Sequence, residues 1–377
     1  MSDPAVMKTA EPSVEEDLIY LLACAVNSVV PEVERVKGMD LAALYREAKR
    51  HMLASAVAFA LESAGIQNEE FVLEQAKAVR KMALMDAEQV QILNRFEEAG
   101  IWYMPLKGAI LKNLYPSYGM RQMSDRDILV DRSRMADVRM IMEDLGFTTE
   151  EYGKANHDCY IKQPISNFEM HHQLFGAMQG KQFADYYLDV KNRLLKDEGN
   201  SFGWHFSPED FYLYLIVHEY KHHSGGGTGL RSLVDTYVYL NNVDLDMAYV
   251  TAEAEKLGIA AFEKQNRELS QALFSGKGLT EEEQTMLRRF VRSGTYGNQK
   301  ILAENRLAEK GKWKYFLSRL TLPYPVMLEL FPILRKAPVL YPFVWVYRLV
   351  AAVVLRGGNV KQQVSAMLNW KDNGSSS

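Results

Sequence analysis

β-prone sequence is confined to one stretch of this chain, between long segments of helical periodicity, and that confinement most restricts the fold. IWYMPL (101–106) is a short apolar run, and SDRDILVD (124–131) carries three consecutive apolar residues suited to a buried strand. CYIKQ (159–163) and NFEMHHQL (167–174) are two further strand candidates, separated by Pro164. Between them, LKGAILKNLY (106–115) and residues 133–145, which stop at Gly146, have helical spacing. Strands interleaved with helices over about a hundred residues predict an α/β core.

Helices predominate on both sides. Asp40 is placed to cap a run over 41–64 that continues to Gly65, and a second run opens at Asn68 with Glu69 and Glu70 and reaches Gly100. After the strands, Ser207-Pro208-Glu209-Asp210 is a helix start: a capping hydroxyl, proline at the first position, and acids against the helix dipole. FYLYLIVHEYKHH is apolar on nearly all sides, which predicts a buried helix. SGGGTG (224–229) interrupts it, and the next helix carries Arg231 and Asp235. The expected class is α+β with a mixed sheet: a helical region over 1–84, an α/β core over 85–206 and a helical region over 207–377.

Composition removes whole classes of function. With 377 residues, 47% hydrophobic and 24% charged, the chain is neither disordered nor a disulfide scaffold, and its length suits two or three domains. A net charge of -4 argues against a surface that is basic throughout for nucleic acid. Cys24 and Cys159 match no metal-ligand spacing and suit a reducing, cytoplasmic setting. The N-terminal residues lack the order of a signal peptide. Ala337–Tyr347, broken by Pro338 and Pro342, falls short of the roughly 20 apolar residues of a spanning helix.

The chemistry centres on Asp125 and Asp127. Two apart on a strand, they face the same way, and like charges so close call for a cation between them. Mg²⁺ or Mn²⁺, taking carboxylate and phosphate oxygens together, meets that need; two solvated acids at a strand end fit the same spacing. Lys107-Gly108, at a strand-to-helix turn, offers a backbone approach and a cation to a phosphate, and Arg121 is a further phosphate candidate. Glu169 lies inside a β-prone run, alternating onto one face with His171 while Phe168 and Met170 take the other. Three carboxylates from neighbouring strands suit two-metal, in-line displacement at phosphorus.

The ordered set Leu106-Lys107-Gly108, Arg121, Ser124-Asp125-Arg126-Asp127-Ile128-Leu129-Val130 and Gly146-Phe147 resembles an uncharacterised bacterial nucleotidyltransferase family of the DNA polymerase β-like superfamily. The resemblance extends to FEMHH and, more loosely, to the segment with His218, His222, Arg231 and Asp235, spanning about 85–240. It implies transfer of a nucleoside monophosphate from an NTP to an acceptor, with Asp125, Asp127 and Glu169 holding Mg²⁺. Lys107, Gly108, Arg121 and Ser124 would then handle the nucleotide, and His171, His218, His222, Arg231 and Asp235 would line the acceptor side of the cleft. Two departures stand out: Lys-Gly replaces the superfamily's glycine-plus-small-residue turn, and Arg126 occupies a position usually apolar. A non-catalytic nucleotide-binding relative is the alternative within this fold.

Other motifs compete. His218-Glu219-Tyr220-Lys221-His222 fits H-E-x-x-H, the zinc-hydrolase arrangement, with Asp235, Glu253 and Glu255 as unselected third ligands. Histidines satisfied by their neighbours fit the same segment. SGGGTG suggests a flexible connection or lid rather than a phosphate loop. Arg231 and Asp235, four apart, fit a local ion pair. Residues 288–319 are rich in Lys and Arg and carry Phe290, Tyr296, Trp313, Tyr315 and Phe316, as an RNA-binding face would; an exposed helix with aromatics turned inward is preferred. The proline-broken tail with Leu340, Phe343, Trp345 and Leu349 is expected to pack on the core. The sequence names neither the base nor the acceptor.

Overall fold

The structure is a computed structural model that describes residues 12–153, 156–176, 179–295 and 321–355, together with Leu307 and Leu317. Five helices come first: α1 (Val14–Val26), α2 (Val33–Lys37), α3 (Leu41–Arg50), α4 (Ala54–Ser63) and α5 (Glu69–Ala99). The sheet comprises β1 (Tyr103–Pro105), β2 (Arg126–Val130), β3 (Thr148–Glu151), β4 (His157–Lys162) and β5 (Ser166–His171), in spatial order β1-β2-β5-β4-β3. Only β2 and β5 run parallel, so the sheet is mixed. The short α6 (Gly108–Leu111) and α7 (Met135–Asp144) lie between strands. After α8 (Lys181–Tyr186) come α9 (Pro208–Ser224), α10 (Leu230–Asn242), α11 (Met247–Lys256), α12 (Ala260–Phe274) and α13 (Glu281–Ser293).

The start signals act as the residue types require. Asp40 accepts from the Ala43 N–H at 2.9 Å, Asn68 from the Glu70 and Phe71 N–H groups, and Ser207 from the Asp210 N–H at 3.1 Å. Gly100, at φ 67, closes α5 in the left-handed conformation. The run expected over 41–64 is instead two helices. It breaks at His51–Leu53, with Met52 at φ 55. The break places His51 against the start of α10, where its Nδ1 accepts from the Leu230 N–H at 3.1 Å. Gly229 has no side chain with which to cap that helix, so a histidine distant in sequence satisfies the orphan donor. Burial then favours neutral His51.

The sheet separates two cores by strict alternation. Ile128, Val130, Tyr160, Phe168 and Met170 face Met85, Ile92 and Phe96 of α5 and Val138 and Met142 of α7. Arg126, buried among them, reaches Asp86 and Gln89 of α5 at 2.8 Å each, so its place between the two acids serves the helix-covered face. On the opposite side, Leu129 joins Phe211–Val217 of α9. A third core unites the two flanks: α1, α3 and α4 pack directly on Leu233, Val234 and Val238 of α10, Leu269 and Leu273 of α12, and Phe290 of α13. Helix α5 crosses from this core, through Phe71, to the sheet, through Met85 onward.

Edge strand β3 was not expected from its sequence, TTEE, which has no apolar residue to signal it. Phe290 turns inward as expected, whereas Tyr296, Trp313, Tyr315 and Phe316 lie outside the described residues. The tail departs from the core-packing expectation. Pro342 sits in the first turn of a helix over Tyr341–Leu355, where proline is tolerated, and Phe343 is 72% exposed. Among the described residues no helix is long and apolar enough to cross a membrane.

Candidate functional site

Strand pairing builds the acid cluster. Asp127 of β2 stands opposite Glu169 of β5 in register, and Glu169 opposite Cys159 of β4, so one row crosses three strands on the face away from α5. In the next row His171 stands opposite His157. Asp125 lies one residue before β2. One ligand atom each from Asp127, Glu169 and His171 falls within 4.8 Å of the others.

The cluster is heavily polarised. Lys107 Nζ donates to Asp127 Oδ1 at 2.9 Å, and His171 Nε2 lies 2.8 Å from the same oxygen and 3.5 Å from Glu169 Oε2. Burial opposes ionisation of Asp127, yet Lys107 and His171 hold its carboxyl far below the usual range. Glu169 is lowered against its own desolvation, chiefly by the His171 hydrogen bond. His171 is raised despite burial, by Asp127 and Glu169. Asp125 goes the other way: burial, then the charges of Asp127 and Glu169, push it up. Asp125 is thus the acid of the cluster whose charge its surroundings do not offset. Asp127 and Glu169 offer the hard oxygen donors that a divalent cation takes, so the residues fit Mg²⁺.

Lys107 holds its position at φ 44, ψ -114, a backbone conformation costing about 1–3 kcal/mol for a residue with a side chain. A Cβ on the following Gly108 would meet Arg121 Nη1 at 2.5 Å. Gly108 thus makes room for a guanidinium. Arg121 is in turn gripped by Asp235 through Nε and Nη2 at 2.7 and 2.8 Å, and Tyr115 donates its hydroxyl to the same carboxylate at 2.6 Å. The Arg231–Asp235 pair expected within α10 is not formed, because Asp235 is already committed to Arg121. Arg231 Nη1 donates to the Gln122 carbonyl at 3.2 Å instead.

A cavity of about 370 Å³ lies over the acid row, between the sheet, α9 and the start of α10. It is lined by Lys107, Gly108, Arg121, Ser124, Asp125, Asp127, Glu169, His171, His218, His222, Arg231 and Asp235, so the structure brings every sequence-expected site residue to one place. Arg231 and Lys221 bring cations to the same cavity. Lys221, which sequence reasoning passed over, lines it beside His218 and His222; its ammonium, pushed down to about 8 by burial and then by Lys107, loses its charge easily. Desolvation and the surrounding cations keep His218 and His222 neutral, and their Nε2 atoms lie 3.3 Å apart. The i, i+3 spacing of His218 and Lys221 was the available signal. His157 was missed because the strand was started at Cys159, although alternation continues back to 157.

The zinc-hydrolase constellation does not assemble. Among the described residues no third imidazole, thiol or carboxylate joins His218 and His222 as a ligand set. Glu219 is buried with its Oε2 3.3 Å from Thr236 Oγ1, Asp235 holds Arg121, and Glu253 accepts from Arg193 at 3.2 Å. The SGGGTG segment is pinned rather than free: Gly227 donates to the His222 carbonyl at 2.8 Å, and Ser293 Oγ donates to the Thr228 carbonyl at 2.7 Å. A Cβ at Gly227, whose φ is 97, would meet Ser293 Cβ at 2.2 Å.

The model of an uncharacterised nucleotidyltransferase family matches residues 37–275, well over half of the chain, a span that holds every cleft residue named above. The crystal structure of an antigenic nucleotidyltransferase-like protein from Paracoccidioides brasiliensis is similar at 17% identity, covering 50% of this chain and 92% of that one, with a TM-score of 0.34. That likeness is too distant to carry an argument about residues. Comparison with curated proteins gave no match.

Proposed function

Since the chain belongs to this nucleotidyltransferase family, we propose that its cleft transfers a nucleoside monophosphate from an NTP to an acceptor in a Mg²⁺-dependent reaction. One observation supports this above all: the carboxylates Asp125, Asp127 and Glu169 and the cations Lys221 and Arg231 line a single cavity. Asp125, Asp127 and Glu169 would hold Mg²⁺, which when bound withdraws charge from the phosphoryl oxygens. Arg231, partly buried and bonded only to a neutral carbonyl and a thioether among the contacts described, is directed at the triphosphate together with Lys221. Lys107, paired with Asp127 on the same cavity, would be a further cation for the phosphates. Glu169, kept ionised by His171, takes the proton of the acceptor hydroxyl. The reaction is assigned to the cytoplasm, where NTP and Mg²⁺ are supplied.

The test is thermal unfolding with each of the four NTPs, with and without Mg²⁺. A ligand confined to the folded state, at a hundred times its Kd, adds about 2.7 kcal/mol of stability. One NTP should raise Tm in a Mg²⁺-dependent manner, and that NTP should then release pyrophosphate when acceptors are screened. No shift with any nucleotide on folded protein would defeat the proposal. The Lys107–Asp127 ion pair favours a second reading, a chain that binds nucleotide through its lysines without turnover; a shift indifferent to Mg²⁺ would select it.

Lys221 supplies a pH signature. Its charge is present below about pH 8 and lost above it, so affinity for the triphosphate should fall as pH rises through about 8. In Lys221→Arg, where the charge does not titrate, the affinity measured by calorimetry at pH 7 and 9 should stay level. An equal fall in both proteins would remove Lys221 from the phosphate site.

A further inference from the structure

The acid row does not end at Glu169. Cys159 stands opposite it across β4, and Glu151 stands opposite Cys159 across the bulged pairing of β3. His157 shares the face of Cys159 by alternation, its ring centroid 4.8 Å from that of His171. One ligand atom from each of His157, Cys159 and Glu169 lies within 4.8 Å of the other two. His157 Nε2 is 3.5 Å from Glu169 Oε2. Two ligands held about 2.0–2.1 Å from a tetrahedral zinc lie about 3.3 Å apart, so this pair is already near the spacing one ion imposes.

His157 Nδ1 is buried with no hydrogen-bond partner, and Cys159 is a free thiol. The other cysteine, Cys24, is buried on helix α1, so Cys159 is not held in a disulfide. An imidazole, a thiol and a carboxylate on adjacent β-strands are a donor set for a borderline ion, whereas Mg²⁺ has no use for the sulfur.

We propose that His157, Cys159 and Glu169 form a second metal site, specific for Zn²⁺ or an ion of similar softness, adjoining the Asp125–Asp127–Glu169 cluster and sharing Glu169 with it. Binding releases the thiol proton and leaves a Zn²⁺–thiolate bond, with no change of oxidation state. Zinc at His157–Cys159–Glu169 would engage a carboxylate that the Mg²⁺ cluster also uses and is expected to oppose nucleotide transfer; this consequence, unlike the site itself, rests on the proposed function.

Co²⁺ tests the site on the full-length protein, kept reduced with a phosphine in place of thiols. The expected result is a near-ultraviolet thiolate-to-cobalt charge-transfer band that saturates at one ion per chain and is discharged by Zn²⁺. Cys159→Ser should abolish the band and Cys24→Ser should keep it. In His157→Gln, Co²⁺ affinity should fall at least about tenfold, a difference of about 1.4 kcal/mol. No band in the wild type, a band that survives Cys159→Ser, or unchanged affinity in folded His157→Gln would each overturn the proposal. Cobalt absorption is read without nucleotide, so failure here leaves the Mg²⁺–NTP experiment standing, and the reverse holds too.

Discussion

Asp127→Asn should lose both stability and the Mg²⁺-dependent nucleotide response, whereas Asp125→Asn should lose only the response. The two acids are neighbours in a D-x-D motif but sit in opposite electrostatic settings. Asp127 is the buried counter-charge of Lys107 and His171, at 2.9 and 2.8 Å. Removing its charge strands the partly buried Lys107 ammonium and the buried His171, a loss that typically costs about 3–5 kcal/mol. Asp125 instead ionises against burial and the charges of Asp127 and Glu169. Asparagine there relieves repulsion and leaves the metal-free stability level or higher. The pH dependence has the matching sign: Asp127's contribution is full above its unfolded value near 3.8 and disappears as pH falls toward its depressed folded value. Urea unfolding of both variants at pH 7, followed by the NTP shift with Mg²⁺, measures the two quantities separately. Equal stability losses would refute the assignment of Asp127 as the paired acid; a full NTP response in Asp125→Asn would remove it from the metal cluster.

The second large effect belongs to Asp235. Its carboxylate receives two hydrogen bonds from Arg121 and one from Tyr115, all buried, and it joins α10 to the loop that carries the acids. Asp235→Ala leaves a buried guanidinium unpaired and should cost about 3–5 kcal/mol, lowering Tm by several degrees. Replacing both partners, with Arg121→Met and Asp235→Leu together, should cost much less than the sum of the single changes, because no buried charge is left behind. Additive losses in urea unfolding would show that the pair is not coupled. The nucleotide shift of the double variant then reports whether Arg121, beyond positioning Gly108 and the loop, is needed at the phosphate.

The helices and the central strands were legible because their signals are local. Caps at Asp40, Asn68 and Ser207 need only a side chain and an amide three residues away, and the alternation of Glu169 and His171 against Phe168 and Met170 is written in six residues. Long-range partners were not legible. Arg121 and Asp235 are separated by more than a hundred positions, so the sequence offered the nearer Arg231 as partner and the structure chose otherwise. The break at His51 has the same origin: it serves an amide at Leu230 that no local pattern reveals. The polar edge strand β3 lacked the apolar alternation by which strands are recognised.

The shared helical core has a consequence for synthesis. The apolar faces of α1, α3 and α4 find their partners on α10, α12 and α13, which emerge from the ribosome well over a hundred residues later. At roughly 5–20 residues per second, those faces wait several seconds or longer before they can be covered. The nascent chain meanwhile carries a finished sheet with an unfinished roof, a natural client for chaperones that shield apolar surface. Closure of this core waits for α10, α12 and α13, and Arg121 and Asp235 cannot meet before α10 is made.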